Sequence, residues 1–122
     1  MRTLDNLFDD TQDMFNHICE HLMSQGQRSK AAKAGGCAYR GDDGMACAVG
    51  AVVPDEYYDK VMEGTGVFYI AKRETVPSWV SRNVRLLEAL QIMHDSYSPE
   101  RWRLQLKQIA EEYRLECPAC IR

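Results

Sequence analysis

Residues 37–55, CAYRGDDGMACAVGAVVPD, change local character at almost every step. Cys37 to Arg40 has β-like residues, and Gly41, Asp42, Asp43 and Gly44 supply turn chemistry. An apolar block of small side chains, Met45 to Val53, follows and stops at Pro54. A block this apolar is buried, and its lack of bulk means that something packs close to its backbone. Ala46, Ala48 and Ala51 favour helix, whereas Val49, Val52 and Val53 suit a strand, and periodicity leaves both readings open.

Outward from this centre, helices dominate. Leu4, Leu7, Phe8, Thr11, Met14, Phe15, Ile18, Leu22 and Met23 recur at helical spacing and form one apolar stripe. Thr3 is placed to cap this helix, Asp5, Asp9 and Asp10 suit its positive end, and Gly26 stops it. The polar, basic run QRSKAAKAGG (27–36) reads as a mobile connector with Arg28, Lys30 and Lys33 solvated. Beyond Pro54, Asp55 can cap a short helix from Glu56 to Glu63, closed by Gly64. Val67 to Ala71 is apolar and aromatic, with strand character. Pro77 and Ser78 open a helix carrying Val80, Val84, Leu87, Leu90 and His94 on one face. Ser98-Pro99-Glu100 reads as N-cap, N1 proline and acidic first turn of a last helix lined by Trp102, Leu106, Ile109 and Tyr113. The expected fold is α+β, mostly α: four to five helices packed around a small β-hairpin or short antiparallel sheet. Residues 1–115 form one globular domain and 116–122 a C-terminal tail.

Composition narrows the function classes. Apolar residues at 45% and charged residues at 27% are ordinary for a globular chain. A net charge of −3 disfavours broad nucleic-acid binding. No apolar run approaches the roughly 20 residues of a membrane helix, and the N-terminus has no signal-peptide core, so a cytoplasmic setting without membrane contact is expected. Five cysteines, an odd number, point to free thiols in a reducing compartment.

Each candidate chemistry has a structural counterpart. Cys117-Pro118-Ala119-Cys120 has the spacing of zinc and dithiol sites, but it follows a helix instead of opening one, so no lowered thiol pKa is expected. Zinc there would need two more ligands, and Cys37 and Cys47 lack knuckle spacing. His17 and His21, at i and i+4, could share a metal, and His94-Asp95 has the look of a metal-dependent phosphohydrolase pair; neither set is complete, and the expected roles are packing for the three histidines and helix termination for Asp95. The expectation is therefore no catalytic residue, no metal and no cofactor. Tyr39, Arg40, Asp42 and Asp43, at the tip of the expected hairpin, have the residue types of a protein-binding hot spot. Arg82, Arg85, Arg101, Arg103 and Lys107 lie on helix flanks and define an alternative, nucleic-acid-binding surface. Homo-oligomerisation through a spare apolar face is compatible with the pattern.

The segment Cys37-x-Tyr39-Arg40-Gly41-x-x-Gly44-x-x-Cys47-Ala48-Val49-Gly50, with Val53-Pro54-Asp55 and Glu63-Gly64, resembles small proteins encoded by bacteriophages, prophages and plasmids. Leu87, Leu90, Gln91, His94, Asp95 and Trp102 are similar to the same group. The resemblance spans the first helix to about Leu115 and leaves out the CPAC tail. It carries over no catalytic residue. It implies a mobile genetic element in a bacterial cytoplasm and a small accessory protein that binds and blocks a host protein, such as a defence component of the CRISPR kind.

Overall fold

The computed structural model describes residues 8, 10–31, 36–73 and 76–122. Five α-helices organise it: α1 Thr11–Gln25, α2 Val67–Ala71, α3 Ser78–Arg82, α4 Val84–Ser96 and α5 Pro99–Glu112. The start of α1 is set by Asp10, whose carboxylate accepts the Asp13 N–H at 2.8 Å. Its end is set by Gly26 at φ 66°, whose N–H reaches the Leu22 carbonyl. The expected cap Thr3, together with Leu4, Asp5, Leu7 and Asp9, lies outside the described residues. Within α1 the apolar spacing does what it should, burying Met14, Phe15, Ile18, Cys19 and Leu22.

The α3–α4 region is two helices, not the single run its apolar spacing suggests. Asn83 leaves helical geometry at φ −120°, ψ 27°. Its side chain is drawn into one local and one distant bond: Nδ2 donates to the Trp79 carbonyl at 2.8 Å, and Oδ1 accepts from the Thr11 hydroxyl on α1 at 2.8 Å. An amide that competes for backbone groups ends a helix in this way. Helices α4 and α5 then run antiparallel, because the Tyr113 hydroxyl at the end of α5 donates to the Arg85 carbonyl at the start of α4. Ser98 and Pro99 open α5 as expected, although the Ser98 hydroxyl turns to the Glu100 carboxylate and not to a backbone N–H.

The α+β expectation is corrected: among the described residues no hairpin or sheet forms a layer for the helices to pack around. Backbone pairing among the described residues is confined to a two-residue ladder, Lys30–Ala31 with Gly36–Cys37, and one bridge between Arg40 and Ala46. Val67–Ala71, expected as a strand, is α2. Val67 and Ile70 are buried while Phe68 and Tyr69 face outward, a three-residue period that a strand cannot give. Glu56 to Glu63 is not a continuous helix either; turns lead into a single 3₁₀ turn at Lys60–Met62, capped by Asp59.

The small-residue block is neither helix nor strand. Its chain closes back after Cys47, with Ala51 N–H on the Cys47 carbonyl and a 3₁₀ turn at Gly50–Val52. The reason is steric. A Cβ on Gly50 would lie 1.9 Å from the Tyr39 carbonyl oxygen, so only glycine lets these two stretches touch. The expected close packing against this block is therefore found, with backbone as the neighbour.

Residues 116–122, expected as a tail, close against the helices. Ile121 is fully buried. Gln12 and Glu116 are paired in both directions: Gln12 Nε2 donates to the Glu116 carbonyl at 2.9 Å, and the Glu116 N–H donates to Gln12 Oε1 at 2.8 Å. Among the described residues, no helix is long and apolar enough to cross a membrane.

Gly50→Ala is expected to destabilise the protein by about 3 kcal/mol or more, since the clash is with backbone that cannot rotate away. Gly44→Ala, with open space around it but φ at 76°, is expected to cost about 1 kcal/mol. Urea unfolding of the two variants separates a packing constraint from a dihedral one.

Candidate functional site

Residues Tyr39 to Ala46 close the loop on which the binding expectation rests. Gly41 N–H meets the Met45 carbonyl at 2.8 Å and Met45 N–H meets the Asp42 carbonyl at 3.1 Å. The tip itself is the turn Asp42–Gly44, with Asp43 at φ 58° and Gly44 at φ 76° in consecutive left-handed conformations. Asp42 and Asp43 are exposed there. Tyr39 is not: only 8% of it is accessible, and its hydroxyl donates to the Thr65 carbonyl. Burial, followed by the negative groups around it, pushes its phenol well above the ordinary tyrosine range.

Arg40 also turns inward. Its guanidinium donates to the carbonyls of Gly50 (3.2 Å) and Val53, pairs with Asp55, and lies 5.2 Å from the Tyr58 ring centre. The Asp55 pair matters least, because that carboxylate is 86% exposed and a solvated ion pair contributes little. The carbonyl bonds matter more, because they satisfy backbone acceptors in an irregular segment. The counterpart is Glu63, absent from the sequence-derived set. Its two oxygens accept the N–H groups of Tyr39 (2.9 Å) and Arg40 (3.0 Å) and the Tyr58 hydroxyl (2.6 Å). Desolvation and that last bond push Tyr58 up to about 12. Glu63 stood in the quoted Glu63-Gly64 pair, but nothing local tells a reader that its carboxylate returns to residues 39 and 40.

The histidines are anchors of the same kind. His17 Nε2 bonds the Ala51 carbonyl at 3.1 Å and His21 Nε2 the Ala46 carbonyl at 2.7 Å, so each imidazole carries its proton there and ties α1 to the loop. They border an open groove of about 640 Å³ with Glu20, Gln25, Asp43 and Met45. His94 and Asp95 are elsewhere, on α4. The groups considered for a metal-dependent hydrolase are therefore not brought together, and no cluster of three or more His, Cys, Asp or Glu among the described residues is arranged to hold a metal.

The basic residues separate as well. Arg82 and Arg85 flank the N-terminus of α4, while Arg101 and Arg103 flank that of α5. Because the two helices are antiparallel, about 17 Å of helix lies between the pairs. Lys107 sits partway along α5, and Arg103 is engaged with the Ile121 carbonyl at 3.2 Å. This is a dispersed set, not a continuous track for a phosphate backbone.

The thiols divide by exposure. Cys19 and Cys47 are buried, Cys117 is half-buried and Cys120 is exposed; the Cys37 side chain lies outside those described. Burial pushes Cys47 up to about 12, against a Gly50 N–H that draws it down. Cys19 is raised further, by burial and then by the neighbouring Cys120 and Cys117. Cys120 is raised by its partial burial and then by Glu20.

The signal that sequence reasoning misread is an exposed apolar one. Val61, Phe68 and Tyr69 are 60%, 45% and 71% accessible within one short stretch. Residue types alone give Phe68 and Tyr69 strand character; an i, i+3 reading of Val67 and Ile70 puts them on the outer face of a helix.

Arg40→Ala is expected to cost about 2–3 kcal/mol, because buried carbonyls lose a charged donor. Asp43→Gly is expected to hold stability or raise it by up to about 1 kcal/mol by relieving a left-handed residue; urea titration checks both. In native protein, iodoacetamide followed by peptide mapping is expected to label Cys120 well ahead of Cys19 and Cys47, which react only on unfolding.

Compared with known proteins, the chain matches no family model, no curated protein and no solved structure.

Proposed function

We propose that the protein is a non-enzymatic interaction module of a phage or other mobile element, acting in the bacterial cytoplasm by binding and blocking a host protein. A defence component of the CRISPR kind is the proposed target class. The observation that supports this reading is the exposure of Phe68 and Tyr69, neighbours on the outer face of α2 with Lys72 beside Tyr69, and of Val61 a few residues earlier in the chain. Large exposed aromatic groups next to charge are the residue types that dominate protein–protein affinity. Asp42 and Asp43 form the part of the proposed contact that the loop leaves exposed. The inward roles of Tyr39 and Arg40 make them supports of that surface instead of its contacts.

Affinity capture from bacterial lysate, identification of the prey by mass spectrometry and reconstitution with purified prey test the proposal. Phe68→Ser with Tyr69→Ser is expected to weaken binding at least tenfold while circular dichroism stays unchanged, and Asp43→Ala to weaken it less. Full affinity in the double variant would remove the 61–69 segment from the reading. A gel shift with DNA or RNA that depends on Arg82 and Arg85 would replace the reading with the nucleic-acid alternative.

A further inference from the structure

Hydrogen-bond polarity decides how the segment before the two-residue ladder is held. Arg28 and Ser29 cross the C-terminal part of α4, and both bond His94. The Ser29 N–H donates to His94 Nε2 at 3.2 Å, and Arg28 Nε donates to the His94 carbonyl at 3.3 Å. A backbone N–H can only donate, so Nε2 must present a lone pair. The ring proton therefore sits on Nδ1, where it is donated to Asp95 Oδ1 at 2.8 Å. Gln91 Nε2 donates to the same oxygen at 3.0 Å. The ring is fully buried and stacks on Trp102 at a centroid distance of 5.2 Å. Both ring nitrogens are committed, and the folded arrangement accepts only the neutral form with hydrogen on Nδ1.

We propose that His94 is a proton-sensitive latch: protonation at Nε2 releases the 28–31 strap from α4. A second hydrogen on the ring would point at the Ser29 N–H, donor against donor, and the amide cannot reverse its role. The strap also supports the central loop, since the Ala38 N–H donates to the Ser29 carbonyl at 2.9 Å and Lys30–Ala31 pairs with Gly36–Cys37. Release is therefore transmitted to the start of the 37–55 segment.

The charged groups around the ring oppose one another. Asp95 on α4 favours an imidazolium, as does Glu63, which faces Asp95 with Tyr39 across a cavity of about 140 Å³. Arg28 on the strap and the burial of the ring oppose it. Trp102 on α5 adds no charge, and the Cys47 thiol in the central loop is held neutral by burial. None of these groups can cure the clash with Ser29. A charged ring keeps its bond to Asp95 and gives up the strap. The released form binds one proton more than the latched form, so acidification favours release, by up to tenfold for each pH unit.

The test combines two NMR readouts on the intact chain. Long-range ¹H–¹⁵N correlations report the His94 tautomer, and amide hydrogen exchange, corrected for its chemical pH dependence, reports the strap. Spectra are compared at a pH of about 7.5 and at about 5.5; the latched ring is expected to carry hydrogen on Nδ1 alone, and the released ring on both nitrogens. Protection of the Ser29 and Ala38 amides is expected to fall at least tenfold between the two, while that of Leu90 and Ile109 holds. His94→Gln keeps an acceptor for Ser29 but cannot titrate, so its strap protection is expected to be independent of pH. A protonated ring with an undiminished strap would overturn the proposal. So would a ring that stays neutral until the core amides also lose protection. Should His94→Gln fail to fold, the two-pH comparison on the unaltered chain decides alone.

Discussion

The contact between Gly50 and the Tyr39 carbonyl is the constraint on which the architecture turns. It forces residues 37–55 into a compact irregular loop at the centre of the molecule, where Cys47, Ala48, Val49, Val52 and Val53 are all buried. Irregular buried backbone cannot satisfy itself as a helix or sheet does, so its N–H and C=O groups need partners from outside. The surrounding elements supply them. From α1, His17 and His21 take the carbonyls of Ala51 and Ala46, and Gln25 accepts the Ala46 N–H. From α3, the Trp79 indole donates to the Val52 carbonyl at 2.8 Å; from α4, Gln91 accepts the Val49 N–H at 3.3 Å. Arg40 and Glu63 complete the set. The helices are thus arranged around a loop whose main chain they hydrogen-bond, in the place where a sheet was expected.

This explains which parts were legible in the sequence. Helices α1 and α5 could be read because their determinants are local: apolar residues three and four apart, a glycine stop, and the Ser98-Pro99-Glu100 opening. The tight approach to the small-residue block was also legible, because glycine and alanine leave space that must be filled. The identity of the neighbour was not, since Tyr39 is specified by turns that residue types alone do not order. Val67–Ala71 misled because aromatic and β-branched residues suit a strand when taken singly, while burial of Val67 and Ile70 together is decided by packing on α4. Asn83 misled because it interrupts a sound apolar pattern through a side-chain bond to Thr11, far away in sequence.

The same logic bears on function. Histidine, arginine, glutamate and glutamine are the residue types from which active sites are assembled, and here His17, His21, Arg40, Glu63 and Gln91 are spent on holding main chain in place. The polar groups that drew attention as candidates for chemistry or recognition are largely internal supports. Outside, Phe68 and Tyr69 stand exposed on α2, in the run that the sequence pattern reads as a strand. Support and display are thus divided between adjacent segments, with Glu63 at their junction and Tyr58 and Thr65 bonded to the support on either side of it.

The pair formed by Gln12 and Glu116 spans 104 residues. Closing so large a ring is entropically costly and yields little until the intervening helices are in place. Segments near the ring's two ends therefore dock late, onto a body already organised by the central loop. Wherever that closure is open, the part of α1 against which the 119–121 turn packs is laid bare, and exposed apolar surface of this kind is what makes two copies stick to each other.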